Sequence, residues 1–376
     1  MKICIWGNVT DAIMGITPGG AELQIALLAK ALKQNGNDVV IIDPSIKEDI
    51  ETEDGIKIFS VRGWDKGIRI LRTFTHRLPQ FYKLLKQQEA DIYYCRIRDF
   101  RHIFSYWAAK KVNAKFILAL ASDLDILSFG MRCKHSYFTQ LSGPWLYLNG
   151  LLVEAVYPYL TRKSDKVFVQ HEGQLNILQK KNIDALIVSN LIDLKVIPSS
   201  SENKRNEFVY VGAFDKRKGF QQFFELVQKC PECMFRVIGL PRDRTGNKYY
   251  EKLKSFNNVI LMGWLSHSKT ISNISKSIAL ISTSPMEGFP NIFIESWACE
   301  VPVLSLFVDP GSVIEKEKLG YFANGRVEVL IEKVKYFNTN KITCENGKDY
   351  VAKTHALNEQ KQIELNSIFE KIVHSR

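Results

Sequence analysis

Short apolar runs alternate with longer amphipathic ones along most of the chain. Residues 2–6 (KICIW), 39–42, 56–61, 91–95, 116–121 and 166–169 are apolar runs of strand length. Between the first two, residues 22–35 place Leu23, Ala26, Leu27 and Ala31 on one stripe, and Gly36 stops them, so a helix is predicted there. Residues 7–20 read as a loop ending in Pro18-Gly19-Gly20. A polar stretch at 199–206 breaks the pattern, which then restarts with a strand at 208–211, a helix at 220–228 and strands at 234–238 and 259–264. Strand, helix and strand in repeated succession predict open α/β units with parallel sheets.

The most informative stretch is 278–305. An apolar run (278–282) leads into a loop broken by Ser284, Pro285, Glu287, Gly288 and Pro290, then a helix from Asn291 carrying Ile292, Phe293, Ile294, Trp297 and Ala298, then an apolar run at 301–306. Pro290 is expected in the first helical turn, where its missing N–H costs nothing. Glu287 and Glu295 stand eight positions apart, a span of about 12 Å of helix. The helix start offers backbone N–H groups and a positive pole to an anion, and Gly288 lets backbone approach a ligand closely. Carboxylates accept hydrogen bonds from vicinal hydroxyls. A nucleotide-sugar therefore suits the unit, with diphosphate at the helix tip, ribose at one carboxylate and sugar at the other.

The run Glu287-Gly-Phe-Pro-Asn-Ile-Phe-Ile-Glu295 resembles the E-x7-E signature of retaining glycosyltransferases of the GT-B fold, most like glycosyltransferase family 4. The resemblance implies two Rossmann-like open parallel-sheet domains facing each other across a cleft, with an acceptor-side domain at 1–190, a donor-binding domain at 191–356 and a last helix, about 357–373, crossing back onto the first. It implies that Glu287 contacts the donor sugar, that Glu295 holds the ribose, and that the backbone of Phe289, Pro290, Asn291 and Ile292 holds the diphosphate. The family usually has Gly after this helix. Cys299-Glu300 stands there, so a different helix exit is expected.

Other segments extend the likeness. Gly212-Ala-Phe-Asp-Lys-Arg-Lys-Gly219 is similar to the family's G-R-L-x-x-x-K-G segment, whose Arg and Lys neutralise the donor diphosphate. Lys218 matches the Lys; Ala213 replaces the Arg, and neighbouring Arg217 is a candidate substitute. Pro18-Gly-Gly-Ala-Glu22 resembles the family's glycine loop, with Gly19 and Gly20 facing the donor phosphates. Gly263 and Trp264 would lie near the base; a Trp here stacks on the base or packs in the core. Asp123 follows the 116–121 strand, at the end where parallel sheets bind ligands. It is a candidate for positioning the acceptor, and equally for capping a helix.

Net charge is +11, and it is concentrated. Residues 62–115 hold 13 Lys/Arg against 4 Asp/Glu, a local balance of +9 (13 minus 4), interleaved with Trp64, Ile68, Leu71, Phe74, Leu78, Phe81, Tyr82, Leu84 and Leu85. Three readings stand: a surface for an anionic membrane, a surface for an anionic glycan, or a solvated face around an ordinary core. No nucleic-acid-binding motif accompanies the charge, so nucleic acid is not an expected partner. Residues 137–159 are aromatic and Leu-rich with a single acid, Glu154, and read as a buried helix or as an acceptor- or membrane-facing surface. No apolar run reaches 18 residues, and the start has no signal-peptide layout, so a cytoplasmic protein, peripheral at most to the inner membrane face, is expected.

Cys230-Pro-Glu-Cys233 is a lone C-x-x-C and reads as a turn rather than a zinc site. No Asp-x-Asp metal motif stands in a suitable loop, so no metal site is expected, and no cofactor beyond a UDP- or GDP-sugar as donor substrate. The absence of G-x-G-x-x-G excludes a dinucleotide fingerprint. The sequence thus predicts a metal-independent, retaining hexosyltransferase acting on a glycan or lipid-linked acceptor in surface-polysaccharide assembly. A sugar-nucleotide epimerase of the same fold and a non-catalytic sugar-binding subunit remain as alternatives.

Overall fold

The computed structural model describes residues 1–16, 19–68, 72–134, 144–198 and 206–375. They form two units, Met1–Leu191 with Leu357–Arg376, and Ile192–Ala356.

The first unit is built on strands β1 (Lys2–Trp6), β2 (Asp38–Ile42), β3 (Ile50–Glu51), β4 (Lys57–Phe59), β5 (Ile92–Arg96), β6 (Lys115–Ala119), β7 (Lys166–Val169) and β8 (Ala185–Ile187). Their order is β3-β4-β2-β1-β5-β6-β7-β8. Every pair is parallel except β3 with β4. Central strands are buried on both faces, which is why they read as unbroken apolar runs. One face packs Ile3, Ile5, Val39 and Ile41 against the helix Gly20–Gln34 and the C-terminal helix Glu359–His374, through Leu365, Phe369 and Ile372. The other packs Cys4, Tyr93, Phe116 and Val167 against Phe81, Leu85, Tyr157 and Leu160.

The second unit holds β9 (Glu207–Val211), β10 (Met234–Ile238), β11 (Val259–Gly263), β12 (Leu280–Ser282), β13 (Val303–Ser305) and β14 (Gly320–Phe322), ordered β11-β10-β9-β12-β13-β14 and parallel throughout. Cys230 and Cys233 lie buried in the turn from the helix Phe220–Lys229 into β10.

Two expectations are corrected. Residues 7–20 are not a plain loop: a short helix, Thr10–Ile13, forms there, and Asp43 pins it by accepting from the Val9 and Thr10 N–H groups, both at 2.9 Å, and from Thr10 Oγ1 at 2.6 Å. The next helix begins at Gly20 rather than Glu22, with Gly19 at its N-cap; Pro18 lies outside the described residues. In the basic, aromatic region 62–115, Leu78, Phe81 and Leu85 are core while Ile68, Phe74 and Trp107 are exposed. Leu71 and residues 135–143 lie outside the described residues. The rest of the segment read at 137–159 belongs to a helix, Pro144–Lys163, that buries Val153, Tyr157 and Leu160 and exposes Tyr147, Leu148 and Tyr159.

Candidate active site

Strand order in the second sheet reverses between β9 and β12: β10 lies outside β9, and β13 outside β12. Loops leaving the carboxyl ends of such a pair diverge and leave a crevice, where open α/β sheets bind ligands. The loop after β9 carries Gly212 and the single turn Lys216–Lys218, whose start Asp215 caps by accepting from the Arg217 N–H at 3.0 Å. Gly219 ends the turn at φ 63°, and a Cβ there would sit 1.9 Å from the Thr283 carbonyl oxygen. Only glycine permits this approach. Thr283 Oγ1 and the Tyr210 hydroxyl both donate to the Lys218 carbonyl, at 3.0 and 3.2 Å. The backbone of Lys218 is thereby fixed from two strands, and its ammonium donates to Glu287 Oε1 at 2.5 Å. More than a third of the Lys218 side chain is exposed, so the pair adds little to stability. Its interest is that the two loops bring these groups together across the reversal.

Arg217 turns the other way. Its Nη2 and Nε donate to Asp215 Oδ2 at 2.6 and 3.1 Å. Gly263 ends β11, and the next residue, Trp264, is 62% exposed, so it is not a core residue.

The helix Asn291–Ala298 is oriented by its buried face. Phe293, Ile294 and Trp297 are core, the Phe289 and Trp297 rings meet edge to face at 6.1 Å, and Trp297 Nε1 donates to the Leu319 carbonyl at 2.9 Å. Pro290 is the N-cap rather than a first-turn residue and has no side-chain oxygen to cap with. Gly288 and Phe289 are buried, while Pro290, Asn291 and Ile292 are half-buried. The helix exit at Cys299-Glu300 is made without glycine. Glu300 takes φ 55°, the left-handed conformation that glycine adopts without cost. Glu300→Gly should accordingly stabilise the unit by about 0.5–1 kcal/mol; equal or lower stability in urea titration would contradict this.

Glu295 is buried, and His267 Nε2 donates to its Oε1 at 2.8 Å. Sequence reading missed His267, a single polar residue at the start of the helix His267–Ile274 with no pattern around it. Its hydrogen bond to Glu295 raises the imidazole pKa above 6.5; burial opposes this and the attraction of the carboxylate adds to it. Because the folded value lies above the unfolded one, the stabilisation is complete below about pH 6.5 and is lost as pH rises through the folded value. Thermal melts between pH 5.5 and 9 should show wild type losing about 1 kcal/mol relative to His267→Gln as pH rises. A gap that does not vary with pH would rule the pairing out.

In the first unit, Asp123 starts a single turn but does not cap it. Ser122 is the N-cap, and Asp125 completes a capping box with it. Asp123 Oδ1 instead accepts from His171 Nε2 at 2.9 Å and Gln174 Nε2 at 2.8 Å. Both partners follow β7, so their proximity is a consequence of strand order that sequence reading did not foresee.

Residues 194–354 match the family model described as glycosyl transferases group 1, which covers nearly all of the second unit. Among curated proteins, the uncharacterized glycosyltransferase MJ1178 of Methanocaldococcus jannaschii is 26% identical over 219 residues, 54% of this chain. The chain spans 60% of that relative's length. Among solved structures, sucrose-phosphate synthase from Thermosynechococcus elongatus superposes with a TM-score of 0.75 at 15% identity, covering 99% of this chain and 98% of that one. Anabaena HepE in complex with UDP, and WaaG, a glycosyltransferase of lipopolysaccharide biosynthesis, each give 0.67 over the full length of both chains, at 13% and 15% identity. The fold is GT-B. Within the GT-B fold of this chain, Lys218, Glu287, Glu295 and the helix tip all lie in the group 1 region, while Gly19, Gly20 and Asp123 lie outside it.

Proposed function

We propose that this protein is a retaining glycosyltransferase that moves a hexose from a nucleoside-diphosphate sugar to a glycan or lipid-linked acceptor in surface-polysaccharide assembly. The observation that carries the reading is the meeting of Lys218 and Glu287 at the reversal of the second sheet, within the region that matches glycosyl transferases group 1. Lys218 and the helix tip at Phe289, Pro290, Asn291 and Ile292 would take the diphosphate, whose negative charge grows as the glycosidic bond breaks. Glu287 would accept from the sugar hydroxyls and Glu295 from the ribose. Gly212 and Gly288 would allow close backbone approach, Trp264 beside Gly263 would stack on the base, and Arg217 would support the phosphates only by leaving Asp215. In this reading the cations and the helix pole do the work of a metal ion. Gly19 and Gly20 would face the donor phosphates, and Asp123 would serve the acceptor side.

The experiment is a thermal-shift screen of the full chain over UDP-, GDP- and ADP-sugars, followed by product analysis by NMR. One sugar nucleotide should raise the midpoint and be consumed only with acceptor present, with the anomeric configuration kept. Conversion of the donor alone would point to an epimerase, and binding of none would end the proposal. Exposed Ile68, Phe74 and Trp107 within the basic region 62–115 support docking on an anionic membrane face, which predicts co-sedimentation with phosphatidylglycerol vesicles at low salt.

A further inference from the structure

The first sheet has a reversal of its own. β1 and β5 are neighbours, with β2 outside β1 and β6 outside β5, so a crevice is expected where their following loops part. The residues at the end of β5 are Arg96, Ile97 and Arg98. Arg96 is only 8% exposed. Its Nη2 donates to Asn190 Oδ1 at 2.8 Å, a neutral partner that Gln170 Nε2 also approaches, at 3.0 Å. Its Nε is buried without a hydrogen bond. No carboxylate pairs with Arg96 among the described residues, and the first-unit residues outside that description contain no Asp or Glu.

The neighbouring acids are engaged elsewhere. Arg98 Nη2 donates to Glu154 Oε1 at 2.9 Å, and Arg98 Nε stands 3.6 Å from Asp125 Oδ1 without a hydrogen bond. Arg132 donates to the same Glu154 carboxylate through Nε at 2.7 Å and through Nη2. Arg98 and Arg132 thus share Glu154 and Asp125, while Arg96 has the neutral Asn190, so its charge is not matched by a direct partner. Arg98 lies over the Tyr157 ring, 5.0 Å from its centre, and the Tyr157 hydroxyl is buried without a partner. A cavity of about 10 Å³ beside Arg96, lined also by Tyr94, Leu120 and Gln170, has room for one oxygen-sized atom.

The backbone adds an independent sign. Ile97 takes φ 71°, which a β-branched residue adopts only under constraint. The constraint is visible: the buried ring of His102 hydrogen-bonds through Nε2 to the Ile97 carbonyl. An unmatched buried charge and a strained turn both cost stability. They coincide at the carboxyl ends of β5, β6 and β7, beside the small cavity, and mark a binding element rather than a packing solution.

We propose that the Arg96–Ile97–Arg98 turn binds a singly charged oxyanion, a carboxylate or phosphodiester group, carried by the acceptor. Guanidinium donors match both groups in geometry and charge. Only the clause about the acceptor rests on the glycosyltransferase reading; the anion site stands on the first unit alone.

The test is thermal unfolding of the full chain at fixed ionic strength, with chloride replaced stepwise by glucuronate in one arm and dimethyl phosphate in the other. Wild type should shift upward with at least one anion, and the arm that responds tells a sugar acid from a phosphodiester. Arg96→Met should raise the half-saturating concentration by at least about tenfold and melt higher than wild type in chloride, because the unmatched charge is gone. Arg96→Lys keeps the charge without the fork and should weaken binding by less; it carries the comparison if the Met variant does not fold. No shift beyond chloride in wild type, or an equal shift in the variants, would overturn the site. UDP binding by calorimetry should be equal in all three proteins. Its failure in wild type would strike the donor reading and leave the anion result standing.

Discussion

Glu287→Gln lowers kcat by about 10²–10³-fold and leaves UDP affinity equal or higher. This result is expected because the carboxylate now accepts from the Lys218 ammonium at 2.5 Å. A donor placed at this point must separate the two groups, offering hydroxyls to Glu287 and phosphate to Lys218. The amide keeps the shape of the carboxylate but not its charge. Lys218 is then more available to the diphosphate, so UDP does not bind more weakly. In the proposed donor pose the sugar, which becomes positively charged as the bond to the diphosphate breaks, would lose the carboxylate of Glu287. Lys218→Met should give the other pattern: loss of both UDP affinity and turnover, since the cation serves bound and developing phosphate charge alike. Neither change should move the unfolding midpoint much, because the pair is too exposed to matter for stability. Calorimetry with UDP and a donor-consumption assay separate the two patterns. Wild-type kcat in Glu287→Gln would remove Glu287 from the chemistry.

The second large effect is on folding. Glu154→Ala should destabilise the first unit by about 3–5 kcal/mol. Glu154 lies on the helix Pro144–Lys163 and is the shared counter-ion of Arg98 and Arg132. The side chains of Arg132 and Glu154 are 4% and 7% exposed. Truncation leaves two guanidiniums in a poorly hydrated site with only Asp125 nearby, and burial already raises the Asp125 pKa, weakening it as a counter-charge. Glu154→Gln should recover part of the loss by restoring hydrogen-bond acceptance without charge. Urea unfolding followed by tryptophan fluorescence checks both. A loss under about 1 kcal/mol for the Ala variant would mean that water reaches the arginines and that the surplus charge is screened.

Much of the donor-side geometry was legible in one dimension because it is local. The strand, loop and helix around Glu287 and Glu295 follow one another within 28 residues, from 278 to 305, and apolar periodicity places each. Three short strands were not legible, unlike β4, β12 and β13, which are equally short but lie inside longer apolar runs. β3, β8 and β14 have two or three residues each, too few to show a period, and exist because a neighbouring strand offers hydrogen bonds. Helix ends were read a residue or two wrong at Gly20 and Pro290, since a cap depends on backbone angles that composition does not specify. At Glu300 the chain accepts a left-handed residue without glycine, between the buried Cys299 and Val301, which the residue type does not announce.

What the amino-acid order settled by itself is the alternation of apolar runs and amphipathic helices, and with it the two parallel sheets of the GT-B fold. That information is local, and burial on both faces of a parallel strand writes it into consecutive residues. The tertiary structure alone decided which charges meet: Lys218 with Glu287, His267 with Glu295, His171 with Asp123, and Arg98 and Arg132 with Glu154 and Asp125. Those partners stand 22 to 69 positions apart. They are brought together by strand order, which follows from the free energy of packing whole helices on whole sheets rather than from any residue's own neighbours.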